Sequence, residues 1–110
     1  AATTVNCLKI DSTRLARDVV CLDVIGDVDM ASSEALNRAI RNALTAAGVK
    51  RVMVDLSKVP FLDARGIHTL VENHSRARDQ DITLQVVNPS RVTVEVLTIT
   101  DDLRLLTGEA

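Results

Sequence analysis

Apolar positions along the chain fall into short blocks with two different periods. Residues 5–10 (VNCLKI) alternate, the pattern of a half-buried strand, and residues 19–26 (VVCLDVIG) read as a second strand. The polar connection between them, DSTRLARD, is short enough for an antiparallel hairpin. From 31 to 47 (ASSEALNRAIRNALTAA) the period changes: Leu36, Ile40, Ala43, Leu44 and Ala47 fall on one face of a helix. Ser32, Ser33 and Glu34 suit its start, and Gly48 suits its end. Residues 51–56 (RVMVDL) form a β-branched run, read as a buried strand. A second helix spans 66–78, with Ile67, Leu70, Val71, His74 and Ala77 on one stripe, and 82–87 (ITLQVV) is another strand, broken by Asn88-Pro89. The segment 90–100 (SRVTVEVLTIT) fits two readings. Val92, Val94 and Val96 alternate as in a strand, whereas Val92, Val96 and Ile99 fit a helix; the alternation favours the strand. A short helix over 101–106, with an Asp near its start, ends the pattern.

The order β-β-α-β-α-β predicts an α/β fold, with parallel strands joined by right-handed crossovers beside an initial hairpin. The chain, 110 residues without linker or repeat, reads as a single domain over 1–110. Apolar residues at 46% supply a core, and with Phe61 as the one aromatic that core is aliphatic. A net charge of −2, with no basic face and no stacking aromatics, speaks against nucleic acid. No run reaches the ~18–20 apolar residues of a membrane span and no apolar leader is present, so a cytoplasmic protein is expected. The chain begins with Ala1 and not Met, as a processed or trimmed sequence would. It carries no P-loop, no GxGxxG and no nucleophile–base pair, so neither an enzyme nor a cofactor is expected. Two cysteines without a CxxC or a Cys/His cluster give no metal site.

The most informative stretch is VPFLDARGIHTL, residues 59–70. Asp63 has the chemistry of an N-cap, and Gly66 allows either a close approach to the backbone or tight helix packing. Arg65 in a helix first turn opposes the dipole, at roughly 0.3–1 kcal/mol when exposed. It either supplies a charge to a partner's carboxylate or phosphate, or points into water and leans on Asp63. Asp27 and Asp29 have the residue types of an acid–base pair, but Asp29 serves equally as a helix cap. His74 reads as a boundary histidine and His68 as solvated. A hairpin symmetric about residues 14 and 15 would set Cys7 opposite Cys21, where a redox pair is sterically conceivable. The competing reading is two reduced thiols.

Three segments together resemble the STAS domain family, whose best-known members are bacterial anti-sigma factor antagonists. Gly26-Asp27-Val28-Asp29 is similar to the family's Gly-Glu-Leu-Asp. Val54-Asp55-Leu56-Ser57 through Phe61-Leu62-Asp63-Ala64-Arg65-Gly66-Ile67 is similar to Leu-Asp-Leu-Ser leading to Phe-Ile-Asp-Ser-Ser-Gly-Leu. Val87-Asn88-Pro89 with Val92 and Leu97 is similar to the opening of its third long helix. The resemblance implies a mixed sheet of four to five strands, helices mainly on one face, and a helix over 90–99. It implies that the Asp63 turn docks on an anti-sigma factor that is also a serine kinase, freeing a sigma factor for transcription. In the antagonists that kinase phosphorylates a serine or threonine of the turn and so breaks the complex. Here Ala64 and Arg65 stand at the two serine positions, so the turn is non-phosphorylatable. Ser57, Ser32, Ser33 and Ser90 are the remaining candidates for such control. The implied partner-binding set is Asp27, Asp29, Ser32, Phe61, Asp63, Ala64, Arg65 and Gly66. Asp101 stands where the family often has Gly. The alternative is a STAS domain of a larger protein, such as an anion-transporter tail or a stress-signalling scaffold. A monomer or weak homodimer is expected, since an exposed first strand can pair with another chain.

Overall fold

The computed structural model describes residues 3–5 and 8–108. Five strands, β1 (Thr3–Val5), β2 (Leu8–Ala16), β3 (Val19–Ile25), β4 (Arg51–Lys58) and β5 (Thr83–Val87), form one sheet in the order of the chain. The pairs β1–β2 and β2–β3 are antiparallel; β3–β4 and β4–β5 are parallel. Four helices complete the domain: α1 (Ser33–Leu44), α2 (Ala64–Asp79), α3 (Arg91–Ile99) and α4 (Leu103–Thr107). The two crossovers, through α1 and through α2, step in the same direction across the sheet, which places both helices on one face, where they pack on each other. The small helix α4 lies along β5 and touches α2 and α3.

Alternation sets the layers. Val20, Leu22 and Val24 of β3, Val52, Val54 and Leu56 of β4, and Leu84 and Val86 of β5 are buried. Cys21, Asp23, Met53, Asp55, Gln85 and Val87, between them, are half-buried on the other face. The run 51–56 is therefore a one-sided strand, not one buried on both faces. The helices answer with Leu36, Ile40 and Leu44 from α1 and Ile67, Leu70 and Ala77 from α2, all part of one aliphatic core.

The hairpin differs from its expected form. The polar stretch 11–16 belongs to β2, and the chain turns at Arg17-Asp18, not about residues 14 and 15. Residues 12–16 are exposed, so no apolar alternation announces them; backbone pairing with β3 makes them strand. Arg14 braces this turn, its guanidinium donating to the carbonyls of Arg17 (2.6 Å) and Ala47 (3.2 Å), just past the end of α1.

Residues 91–99 are helix, against the alternation. The buried side chains are Thr93 and Leu97, one turn apart, and neither belongs to either valine pattern. Ser90 starts the helix: its hydroxyl donates to the Val59 carbonyl at 2.6 Å and accepts from the Thr93 N–H at 3.2 Å. After the helix, Asp101 takes φ +61, the left-handed conformation that glycine adopts freely, so the connection keeps its shape without the glycine. Asp101→Gly is expected to raise stability by about 0.5–1 kcal/mol, read as a melting temperature a few degrees higher. An unchanged melting temperature would show that Asp101 carries no strain.

On α2 the inward polar residues are Asn73, fully buried, and Thr69, and not His74. The Asn73 amide donates to Asn37 Oδ1 of α1 and to the Thr69 carbonyl, each at 2.8 Å, and its oxygen accepts from the Arg76 guanidinium at 3.0 Å. His74 is half-buried. Its pKa lies below the ordinary 6.5, through burial first and the nearby Arg78 charge second. The folded protein thus binds fewer protons at His74 than the unfolded chain does once pH falls through 6.5. Stability from this group is full above that pH and is lost below it, down to the folded pKa. The melting temperature is expected to fall on acidification through this window, and to fall less in His74→Gln. Equal falls in both would place the pH dependence elsewhere.

Candidate functional site

The loops that follow β3 and β4 are stitched into one rim. Gly26 N–H donates to the Lys58 carbonyl (3.0 Å), Val28 N–H to the Phe61 carbonyl (2.9 Å), and Asp63 N–H to the Val28 carbonyl (3.1 Å). Val28 and Leu62 form a parallel bridge and are both buried, so the sheet's pairing continues past its strands to the start of α2.

One side of the rim is a polar turn entering α1. Asp29 Oδ1 accepts from the N–H groups of Ala31 and Ser32, both at 3.0 Å, and lies 3.0 Å from the Ser32 hydroxyl. The Ser32 hydroxyl in turn accepts from Asp29 N–H (3.0 Å) and sits 2.8 Å from the Asp27 carbonyl. The Ser32 hydroxyl, followed by these backbone N–H groups, holds the Asp29 carboxyl below the usual carboxylate range. Asp29 therefore works as the cap of this turn. Asp27 beside it is exposed, and its carboxylate has no partner among the described residues. Ser32 is fully buried, which corrects its place among surface contacts: it shapes the loop from beneath.

The other side is the turn into α2. Asp63 is its N-cap, with Oδ1 accepting from Gly66 N–H at 3.0 Å. Gly66 is buried, so it too is no surface contact. A Cβ built there would stand 2.5 Å from Leu62 Cδ1 and 2.7 Å from Val28 Cγ1. Of the two roles open to this glycine, tight packing is the one seen. Ala64 and Arg65 are exposed, and the Arg65 side chain has no partner among the described residues; it does not lean on Asp63.

Phe61 is 47% exposed although its backbone is bonded into the rim, and Met30 on the facing turn is 72% exposed. Met30 was missed by pattern reading. Its only signal is an apolar residue just before α1 that lies outside the helix's apolar stripe. Beyond Ala64 a shallow cavity of about 270 Å³ is lined by Ile67, His68, Val71, Thr100 and Asp102, joining the α3–α4 connection to the start of α2.

The serines separate clearly. Ser32 and Ser33 are buried, and the Ser90 hydroxyl is committed to its cap. Ser57, at the end of β4, is exposed. Cys7 lies outside the described residues. Cys21 pairs across the sheet with Thr13 and Met53 and is free. Burial, then the charges of Asp55 and Asp23, push its thiol up, away from the thiolate that redox chemistry needs. Burial also opposes charge on Asp55, but the Ser57 N–H and hydroxyl, the Asn88 amide and Lys58 outweigh it and keep that carboxyl low. Among the described residues no three His, Cys, Asp or Glu side chains are grouped to hold a metal ion, and no helix is long and apolar enough to cross a membrane.

Comparison with solved structures places this fold. The anti-sigma factor antagonist SpoIIAA of Bacillus, in its unphosphorylated form, is 16% identical with a TM-score of 0.75, over 89% of this chain and 84% of its own. An anti-sigma factor antagonist from Mycobacterium paratuberculosis is 24% identical with a TM-score of 0.75, over 91% and 82%. A sulfate transporter family protein from Wolinella succinogenes is 17% identical with a TM-score of 0.69, over 88% and 78%. The STAS domain family's sequence model matches residues 12–107, nearly the whole of the chain and both loops of the rim. The chain belongs to the STAS domain family.

Proposed function

We propose that this STAS domain is a protein-interaction regulator of the anti-sigma factor antagonist type, and that its rim docks a kinase-type anti-sigma factor so that a sigma factor is freed. The observation that carries the reading is the makeup of the rim. Its backbone is fixed by main-chain bonds, while Met30, Phe61, Ala64 and Arg65 stand exposed with Asp27 beside them. Aromatic, Met and Arg side chains on a rigid support suit a protein interface. Likeness to two anti-sigma factor antagonists supports the choice of partner class. Complex formation carries no phospho-switch at this turn, because Ala64 and Arg65 have no hydroxyl. Exposed Ser57 is the remaining site of the four for control by phosphorylation.

Capture of binding proteins from a lysate of the source organism tests this reading. The native domain is expected to retain a kinase-type anti-sigma factor, and Arg65→Glu to lose most of it, since a charge reversal at an interface core costs several kcal/mol. Equal capture by both would move the interface off this turn. Capture of no such factor would sink the antagonist reading. The second reading, a STAS domain of a larger protein such as an anion transporter, draws on the likeness to the Wolinella protein. The full-length gene discriminates: membrane-spanning segments in the same open reading frame favour it.

A further inference from the structure

The rim closes the end of the sheet where β3 and β4 finish. At the opposite end β3, β4 and β5 begin side by side, with Val19, Arg51 and Thr83 in register. The β2–β3 turn and the connections leaving α1 and α2 meet there. The N–H groups of Lys50 and Arg51 donate to the Asp18 carbonyl (2.8 and 3.1 Å), and Thr83 N–H donates to the Lys50 carbonyl (2.9 Å). Arg14 and Arg17 lie at the hairpin turn and Lys50 and Arg51 at the start of β4, all four exposed. Arg41 closes the last turn of α1, and Arg76 and Arg78 that of α2. Against these seven cations stand three carboxylates, Asp18, Asp79 and Asp81. This end is therefore net +4, seven less three, in a chain of net charge −2. The four ion pairs among the described residues all lie elsewhere, and none of the seven cations joins one. Cations at helix C-termini complement the dipole, which accounts for the three on α1 and α2. It does not account for the four on the hairpin turn and β4.

Distance decides which charge an approaching surface meets. The eight residues of β4 separate this end from the rim by roughly 25 Å at ~3.3 Å per residue. That is about three Debye lengths at physiological salt, so the acids near the rim are screened from whatever lies against the basic end. Leu15, 56% exposed, stands on the same hairpin turn between Arg14 and Arg17 in the chain, outside the core. The Arg14 bonds to the Arg17 and Ala47 carbonyls brace the turn that presents it. Cations spread over three connections suit a broad, fluid layer of negative charge, which demands no matched shape, and an exposed apolar tip among them suits the boundary between headgroups and acyl chains.

We infer that the end opposite the rim rests on an anionic membrane surface, its cations among lipid headgroups and Leu15 at the acyl boundary, with the rim facing away. This is independent of what the rim binds. The test is co-sedimentation of the whole chain with vesicles of phosphatidylcholine containing about 30% phosphatidylglycerol, and with vesicles of phosphatidylcholine alone, at about 0.15 M salt. Partitioning is expected to be at least about tenfold stronger on the anionic vesicles and to weaken as salt rises. Arg17→Gln/Lys50→Gln removes two exposed, unpaired cations and is expected to weaken it roughly 30-fold. Arg91→Gln/Arg104→Gln changes the net charge equally, outside this end, and is expected to leave it unchanged. Leu15→Ser is expected to weaken it about threefold or more. A spin-labelled lipid in the vesicles should broaden the amide signals of 14–18 and 45–51 and spare those of 59–66. Equal partitioning on both kinds of vesicle overturns the inference. So does equal weakening by the two double variants, which would mean attraction governed by net charge, or broadening centred on the rim. Binding of soluble polyglutamate without binding of anionic vesicles also overturns it, in favour of an acidic protein segment.

Discussion

Leu70→Ala is expected to lower the free energy of unfolding by about 2–5 kcal/mol. Leu70 is fully buried on the inward face of α2, between Ile67 and Ala77 in the chain. Removing its branched end loses the transfer free energy of three carbons and leaves a void that a close-packed aliphatic core fills only in part. Domains of this size are stable by roughly 5–15 kcal/mol, so the variant gives up a large share. The comparison variant is Ile99→Ala, at a residue 83% exposed, which should change stability by less than about 0.5 kcal/mol. Urea unfolding reads both: the midpoint of Leu70→Ala falls with its slope unchanged. A loss below about 1 kcal/mol would mean that α2 is not seated on the core as described.

Gly66→Ala is the second, and its sign rests on a contest between two terms. In a helix interior, alanine is favoured over glycine by about 1 kcal/mol. Against this, the new Cβ would stand 2.5 Å from Leu62 Cδ1 and 2.7 Å from Val28 Cγ1. Val28 is stiff, fully buried and bonded into the rim on both sides of its peptide, so it cannot swing away. Overpacking of this kind costs typically 1–3 kcal/mol and outweighs the propensity gain. The net expectation is a loss of about 1–2 kcal/mol, several degrees in melting temperature, together with weaker capture of the proposed partner, because the displaced residues carry the rim. A more stable Gly66→Ala protein would show that Leu62 and Val28 yield, and that helix propensity decides.

The parts of this molecule that pattern reading reached are those where burial and period coincide. The strands β3, β4 and β5 and the helices α1 and α2 each show an apolar set at the right spacing, so their existence was legible. The rim was legible from chemistry: Asp63 three residues before Gly66 is a cap and a packing site in one motif. What escaped has physical reasons. Residues 12–16 are strand but exposed, and exposure erases the period. Residues 91–99 carry β-branched valines that alternate by accident, while the contacts that decide the matter come from Thr93, Leu97 and the Ser90 cap. The period over 66–78 puts His74 on the apolar stripe and leaves Asn73 off it, and Asn73 is inside because its bonds to Asn37 and Arg76 satisfy its amide there. Ser32 looked like a surface contact and is a buried strut for the same reason. The cysteine pairing rested on where the hairpin turns, and a polar strand gives no sign of that.

The sheet order has a consequence for synthesis. Every strand pairs with its neighbour in sequence, and no strand is inserted between two that come earlier. As the chain leaves the ribosome, each new element finds its docking edge already made, and none has to open a finished pairing to enter. Loop closure is local only for the hairpins; the parallel pairings of Val19 with Arg51 and of Arg51 with Thr83 each wait for a whole crossover helix, so the open edges of β3 and then β4 stay exposed to another chain longest.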